Sequence, residues 1–235
     1  MPGPATLKTG IIETGMAEFD ERHNRLTVKI VYYGPGMSGK TTNLTRLHDL
    51  LSTEMLGNMM SLDTQGDRTL FFDLLPLGFL APSGLQIKFK LYTVPGQAVH
   101  DSTRKAVLSR ADGVMFVADS QCNQAVNNTI SFENLLSNVA TLGMDVARLP
   151  LVVQFNKRDM PDIVSEAQIH ARWASAPWPL RFASALQGDG VLECFTVLLE
   201  SVYDHLDQAF SLAGRHCLPR DAFIGAARGP TRGPA

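Results

Sequence analysis

Few cysteines, few histidines, no long apolar run and no excess of either charge leave several protein classes without support in this chain. Cys122, Cys194 and Cys217 share neither metal-ligand nor disulfide spacing, which points to idle thiols in a reducing compartment. The six histidines include no H-x-x-x-H pair, so side chains alone do not suggest a metal centre. No run of 18 apolar residues exists, so no spanning helix is expected. The N-terminus lacks a charged segment followed by an apolar stretch, which argues against secretion. Pro2 excludes myristoylation and the C-terminus carries no C-a-a-X box, so no lipid anchor is expected. With 21 basic against 23 acidic residues and a net charge of −2, there is no electrostatic footprint for nucleic acid or an anionic membrane. At 235 residues, 45% hydrophobic and 19% charged, the chain reads as one cytoplasmic globular domain with extensions.

What the chain does have is a glycine-rich octet, Gly34-Pro-Gly-Met-Ser-Gly-Lys40-Thr41, directly after the apolar run Val28–Tyr33. It fits G-x-x-x-x-G-K-[ST], the loop that wraps a nucleotide's phosphates. Several backbone N–H groups must meet polyphosphate at once, so the chain has to turn tightly and come close, which glycine permits. The candidate cradle is Gly36, Met37, Ser38, Gly39, Lys40, Thr41 and Thr42. It opens a helix, where the dipole adds roughly half a positive charge. Lys40 supplies a full charge for the β- and γ-phosphates, and the Thr41 hydroxyl is a hard oxygen suited to Mg²⁺.

Helix and strand patterns alternate along the chain. A helix is expected from about Thr41 to Met55, then a polar connector over Ser61–Asp73 running into an apolar strand. Leu85–Thr93 alternates strictly and predicts a strand with one exposed face, antiparallel to its neighbour at one edge. It stops at Val94-Pro-Gly-Gln97. Helices follow over 98–109, 127–142 (with Ile130, Leu135, Leu136, Val139 and Leu142 inward), 165–173 and 191–212. Buried strands are expected over 113–119 and 149–155 and a short one over 180–183. This order specifies a doubly wound α/β sheet, mostly parallel with one antiparallel edge strand and helices on both faces. Residues 1–25 read as a loosely held extension in which Gly10–Thr14 adds at most a short edge strand. Residues 26–212 form the domain, and the tail 213–235 has too few large apolar residues to fold.

A phosphate loop alone does not separate GTPases, ATPases and nucleotide kinases, but Asn156-Lys-Arg-Asp159 does. Guanine presents N1–H and a 2-amino group as adjacent donors, and the Asp159 carboxylate is their complementary acceptor. Facing adenine, that carboxylate would be left unpaired at a cost of about 1–3 kcal/mol. Asn156 would tie this loop to the phosphate loop, and the Lys157 stem could cover the base.

The octet, Pro95-Gly-Gln97, Asn156-Lys-Arg-Asp159 and Ser184-Ala185-Leu186 resemble the nucleotide-binding motifs of Ras-superfamily GTPases. More narrowly, Lys29-Ile-Val-Tyr-Tyr-Gly-Pro-Gly36, Asp67-Arg-Thr-Leu-Phe-Phe-Asp73, Leu91–Gln97 and Val117-Ala-Asp-Ser120 are similar to the bacterial MglA group. The resemblance implies a P-loop small G protein that binds GTP and GDP with Mg²⁺ and governs cell polarity or gliding motility. It implies a Roadblock-fold activating partner of the MglB kind, acting as a homodimer, downstream polarity effectors, and recruitment of the cytoplasmic protein to a cell pole. By that resemblance Thr41 and Thr69 coordinate Mg²⁺, with Thr69 also sensing the γ-phosphate beside Gly96. Gln97 orients the attacking water, Arg68 acts as an arginine finger carried in the chain itself, and the Ser184–Leu186 loop touches guanine. Lys40, Arg68 and Gln97 are thus the catalytic candidates. With Arg68 on a connector that a partner orders, hydrolysis is expected to be slow alone and stimulated by that partner. Most Ras-like proteins carry Asp where this chain has Thr93, so that either metal affinity is weaker or Asp67 or Asp73 compensates. Two other readings stay open at this point: a nucleotide-bound scaffold with negligible turnover, and an Arf- or Rag-like GTPase of another cellular role.

Overall fold

The strand expected before the glycine-rich loop is the spine of the sheet. In the computed structural model it runs from Arg25 to Tyr33 (β3) and pairs in parallel with Gln86–Thr93 (β6) on one side and Gly113–Asp119 (β7) on the other. The structure describes residues 11–13, 17–51, 60–62, 72–96 and 101–229. Two short strands precede β3: β1 (Ile11–Glu13) and β2 (Glu18–Asp20). β2 pairs antiparallel with the first residues of β3, and β1 with β2. After the loop come α1 (Lys40–Leu50), β4 (Met60–Leu62) and β5 (Phe72–Leu80), which leads into β6. Next are α2 (Asp101–Leu108), β7, α3 (Ala125–Thr141), β8 (Leu151–Asn156), α4 (Glu166–Arg172) and β9 (Leu180–Phe182). The chain continues through α5 (Val191–Phe210), α6 (Leu212–His216) and α7 (Arg220–Arg228).

The main path of the sheet is β4-β5-β6-β3-β7-β8-β9. Pairing is parallel from β6 through β9, and antiparallel at β5–β6 and β4–β5. The alternating strand is therefore interior, not at an edge: β6 lies between β5 and β3. Its alternation reports on faces. Ile87, Phe89 and Leu91 are buried in the core, while Gln86 and Lys90 on the opposite face are exposed. Alternation reveals one wet face and says nothing of lateral position.

Two apolar layers sandwich the sheet. Leu26, Val28, Ile30 and Tyr32 of β3 join α1, α5 and Phe223 of α7 on one side. Val31 and Tyr33 join α2, α3 and Ile169 of α4 on the other. The stripe Val191, Phe195, Leu198, Val202 and Leu206 is the buried face of α5, and Ser165 begins α4 with a capping box to Gln168.

Two expectations need correction. Residues after Leu212 fold: the Phe223 ring is fully buried, 5.7 Å from Phe79, 5.8 Å from Phe89 and 5.2 Å from Tyr203, centroid to centroid. Tyr203 donates its hydroxyl to Leu218 O at 3.0 Å. The tail's mean composition hid one well-placed aromatic. On α3, Leu135 and Val139 are buried as expected, but Ile130 is 54% exposed, and Ser131 and Asn138 are buried. The inner face of α3 is partly polar because it packs on the polar cluster described below.

Candidate functional site

The site lies beyond the carboxyl ends of β3, β6, β7 and β8, where Gly34, Val94, Ser120 and Lys157 begin their loops. Gly34 has φ 148°, and a Cβ there would sit 2.2 Å from Val117 O. Gly39, φ 95°, caps α1, and a Cβ would sit 2.3 Å from Asn156 Nδ2. Neither position admits a side chain, so the loop presses against β7 and the Asn156 loop. Among the described residues no side chain caps α1, and no acidic residue stands in its first turn, which leaves the helix N-terminus open to an anion. Met37 lies at the rim, 90% exposed, and Ser38 is buried.

Lys40, only 7% exposed, donates to Gly34 O at 3.0 Å and Pro35 O at 2.6 Å. Burial pulls its ammonium down to about 7. The nearby Arg104 charge adds to the fall and Asp73 opposes it. A cation so destabilised at the mouth of a helix N-terminus favours a polyanion.

Beside it, Thr41 Oγ1 donates to Asp73 Oδ2 at 2.5 Å, and Thr93 Oγ1 donates to the same oxygen at 3.1 Å while accepting from Asp73 N at 2.9 Å. Thr93 thus occupies a place where it recruits the carboxylate of Asp73 from the neighbouring strand. Among the described residues no cluster of three His, Cys, Asp or Glu side chains exists. Any divalent cation here would need phosphate oxygens besides Thr41 and Asp73.

At the other end, Asn156 Nδ2 donates to Ser38 O at 2.8 Å and Asn156 Oδ1 accepts from Ala185 N at 2.9 Å. One amide therefore ties the phosphate loop to the Ser184–Leu186 turn. Lys157, in a left-handed conformation (φ 66°), bonds Asp119 Oδ2 at 2.7 Å. Arg158 donates to Val164 O at 2.8 Å and lies over the Phe182 ring, and Asp159, next in sequence, is exposed. Ser184 is buried and bridges Asp189, while Leu186 is 68% exposed. Arg46 of α1 donates to Leu186 O. A cleft of about 590 Å³ opens between Gly36, Met37, Gly96, Arg104, Asp119 and Lys157.

The structure brings together the described candidates Gly36 through Thr41, Gly96, Asn156, Lys157 and Ser184 through Leu186, with Thr42 and Asp159 placed only by following them in sequence. Arg68, Thr69 and Gln97 lie outside the described residues, as does Asp67. Sequence reasoning missed Arg46, Arg104 and Asn134. An arginine or asparagine inside a helical stretch ordinarily reads as solvated surface, and the only signal available was the polar interruption of α3's apolar stripe.

Residues 16–202 match the sequence model of the ADP-ribosylation factor family. The mutual gliding-motility protein MglA of Myxococcus xanthus (strain DK1622) is 42% identical over 181 residues, 77% of this chain and 93% of that protein. The ADP-ribosylation factor-like protein 6 of Caenorhabditis briggsae is 28% identical over 190 residues, 77% of this chain and 89% of its own.

Proposed function

The chain belongs to the ADP-ribosylation factor family, and we propose that within it this protein is a GTP-hydrolysing molecular switch of the MglA kind. Membership of that family makes it a small GTPase, a guanine-nucleotide-binding protein whose reaction is GTP hydrolysis. The proposal adds how this chain performs it. The observation that supports the reading most is the Asn156 amide, which holds the phosphate loop and the Ala185 turn at a fixed separation beside the Asp159 carboxylate. That spacing suits a guanosine polyphosphate, with Asp159 accepting from N1–H and the 2-amino group and Ala185 N–H lining the base.

Gly36 through Thr42 hold the phosphates with their amides, and Lys40 leaves its two carbonyl acceptors for the β- and γ-oxygens. Magnesium, when bound with the nucleotide, neutralises phosphate charge. The Thr41 hydroxyl and the Asp73 carboxylate are hard oxygens that fit it, with Thr69 as a further ligand. Phosphoryl transfer spreads charge over the equatorial oxygens, so positioning and added positive charge govern the rate. Gln97 orients the water and Arg68 supplies the charge. Turnover is slow until a Roadblock-fold dimer brings Arg68 to the γ-phosphate. The protein acts in the cytoplasm, and effectors of polarity or gliding motility read Thr69 and the loop after Gly96 in the triphosphate state.

Single-turnover GTP hydrolysis, with and without a Roadblock-fold partner, tests this account. Arg68→Ala should remove partner stimulation, by about 10³-fold or more, while GDP affinity stays within about threefold. Unchanged stimulation refutes the role of Arg68, and no turnover under any condition leaves a nucleotide-bound scaffold instead.

A further inference from the structure

Arg104 is a buried cation. Its side chain is 2% exposed, yet among the described residues no carboxylate hydrogen-bonds it. Nε donates to Pro95 O at 2.8 Å, Nη2 to Gly96 O at 2.5 Å and Nη1 to Asn134 Oδ1 at 2.7 Å. The guanidinium lies over the Tyr33 ring, 5.2 Å from its centroid, and Tyr33 is the residue directly before Gly34 of the phosphate loop. Asn134 also accepts from the Tyr33 hydroxyl and, with Asn138, donates to Asp101 Oδ1 at 2.9 Å. Those bonds, with Lys105, hold the Asp101 carboxyl down at about 2. One planar cation is thus bonded to the turn after β6 and to α3, and stacked on the residue that ends β3.

The two carbonyls matter most. A trans peptide sets its N–H opposite its C=O. With Pro95 O held by Arg104, the Gly96 N–H is turned away from the guanidinium. Among the described residues that amide makes no hydrogen bond. Gly96 also packs so tightly on the phosphate loop that a Cβ would fall 2.2 Å from Gly36 Cα. A donor with no partner among the described residues is therefore held against the loop that receives the phosphates, next in sequence to Gln97. An arginine with neutral acceptors costs stability when buried, but its rigid fork lets three separate nitrogens hold two carbonyls and an asparagine oxygen at once.

Resting on the proposed function, we infer that Arg104 is a positioning residue for GTP hydrolysis: it shapes the Pro95–Gly96 turn so that the Gly96 amide meets the γ-phosphate. Lysine keeps the charge but carries all its donors on one nitrogen, whereas Arg104 makes these contacts from three. Arg104 therefore serves the triphosphate state and contributes little to GDP.

The test compares GDP affinity, affinity for a non-hydrolysable GTP analogue, and single-turnover hydrolysis in the full-length chain. Arg104→Lys should slow hydrolysis by about 10²-fold, the order expected for a misplaced reacting group. It should reduce the affinity ratio of the analogue to GDP about tenfold and leave GDP affinity within threefold. Guanidinium ion at low millimolar concentration should restore part of the rate to Arg104→Ala but none to Arg104→Lys. Asn134→Ala, which frees one prong and keeps the charge, should slow hydrolysis severalfold; it decides the matter if the Arg104 variants do not fold. Variants that hydrolyse like the parent overturn the inference. So does parallel loss of GDP and GTP binding, which would mark a purely structural residue. A parent chain that hydrolyses no GTP overturns the proposed function first and takes this inference with it.

Discussion

The hydroxyl of Thr41, at the start of α1, and the carboxylate of Asp73, in β5, meet at 2.5 Å across 32 residues of sequence. Thr93 bonds the same carboxylate oxygen, so the acidic group stands one strand over from where most Ras-like chains carry it. Asp73→Asn should speed GDP release about tenfold in millimolar Mg²⁺, the scale of a lost charge-assisted contact, and change little in EDTA. Equal acceleration with and without metal would show that Asp73 serves packing instead.

Lys40 makes a proton-linked prediction. Its ammonium sits at about 7, mainly through burial, and nucleotide phosphates raise that value on binding. At pH 8.5, where free phosphates are already deprotonated, binding must therefore take up a proton. Titration calorimetry of GDP in buffers of different ionisation enthalpy should report an uptake that falls as the pH is lowered toward 6. An enthalpy independent of buffer at pH 8.5 would contradict the buried environment described for Lys40.

Asp112 lies at the opposite end of β7. It accepts from Lys29 N at 2.6 Å, its second oxygen has no partner among the described residues, and burial raises its carboxyl to about 7. An acid whose folded value is raised favours the folded state below its unfolded value near 4 and loses that benefit as the pH climbs toward 7. Asp112→Asn should accordingly stabilise the protein by about 1–2 kcal/mol at pH 8 and by almost nothing at pH 4. Urea midpoints at the two values read the difference, and an equal effect at both would rule out the charge as its cause.

Phe223 tests whether α7 belongs to the domain. Removing a fully buried ring costs about 3–5 kcal/mol, so Phe223→Ala should lower the unfolding free energy on that scale or detach α7 as a unit. Amide exchange over 218–228 separates these two outcomes. A change below about 0.5 kcal/mol with protection intact would mean that the ring contributes nothing.

These residues also mark what the sequence could and could not tell. Val28–Tyr33, the glycine octet and Asn156 were legible because their chemistry is local: an apolar run, a turn that admits no Cβ, and an amide following a buried strand. Asp119 and Asn156 could be placed at strand ends by the same logic. The position of β6 was not legible, since alternation encodes faces rather than neighbours. The tail was misread because a mean composition dilutes Phe223 among Arg, Gly and Pro. Arg104 was hidden for a further reason: its partners are backbone carbonyls, which carry no side-chain signature, and an asparagine on a helix 30 residues away.

The claim on which the account depends most is selective binding of guanine. Calorimetry of the purified chain with magnesium, comparing GDP with ADP, measures it directly. A carboxylate matched to two donors predicts GDP to be preferred by about 10³-fold or more, and Asp159→Ala to erase most of that preference while the phosphate contacts remain. Comparable affinities for GDP and ADP, or no binding of either, would contradict it.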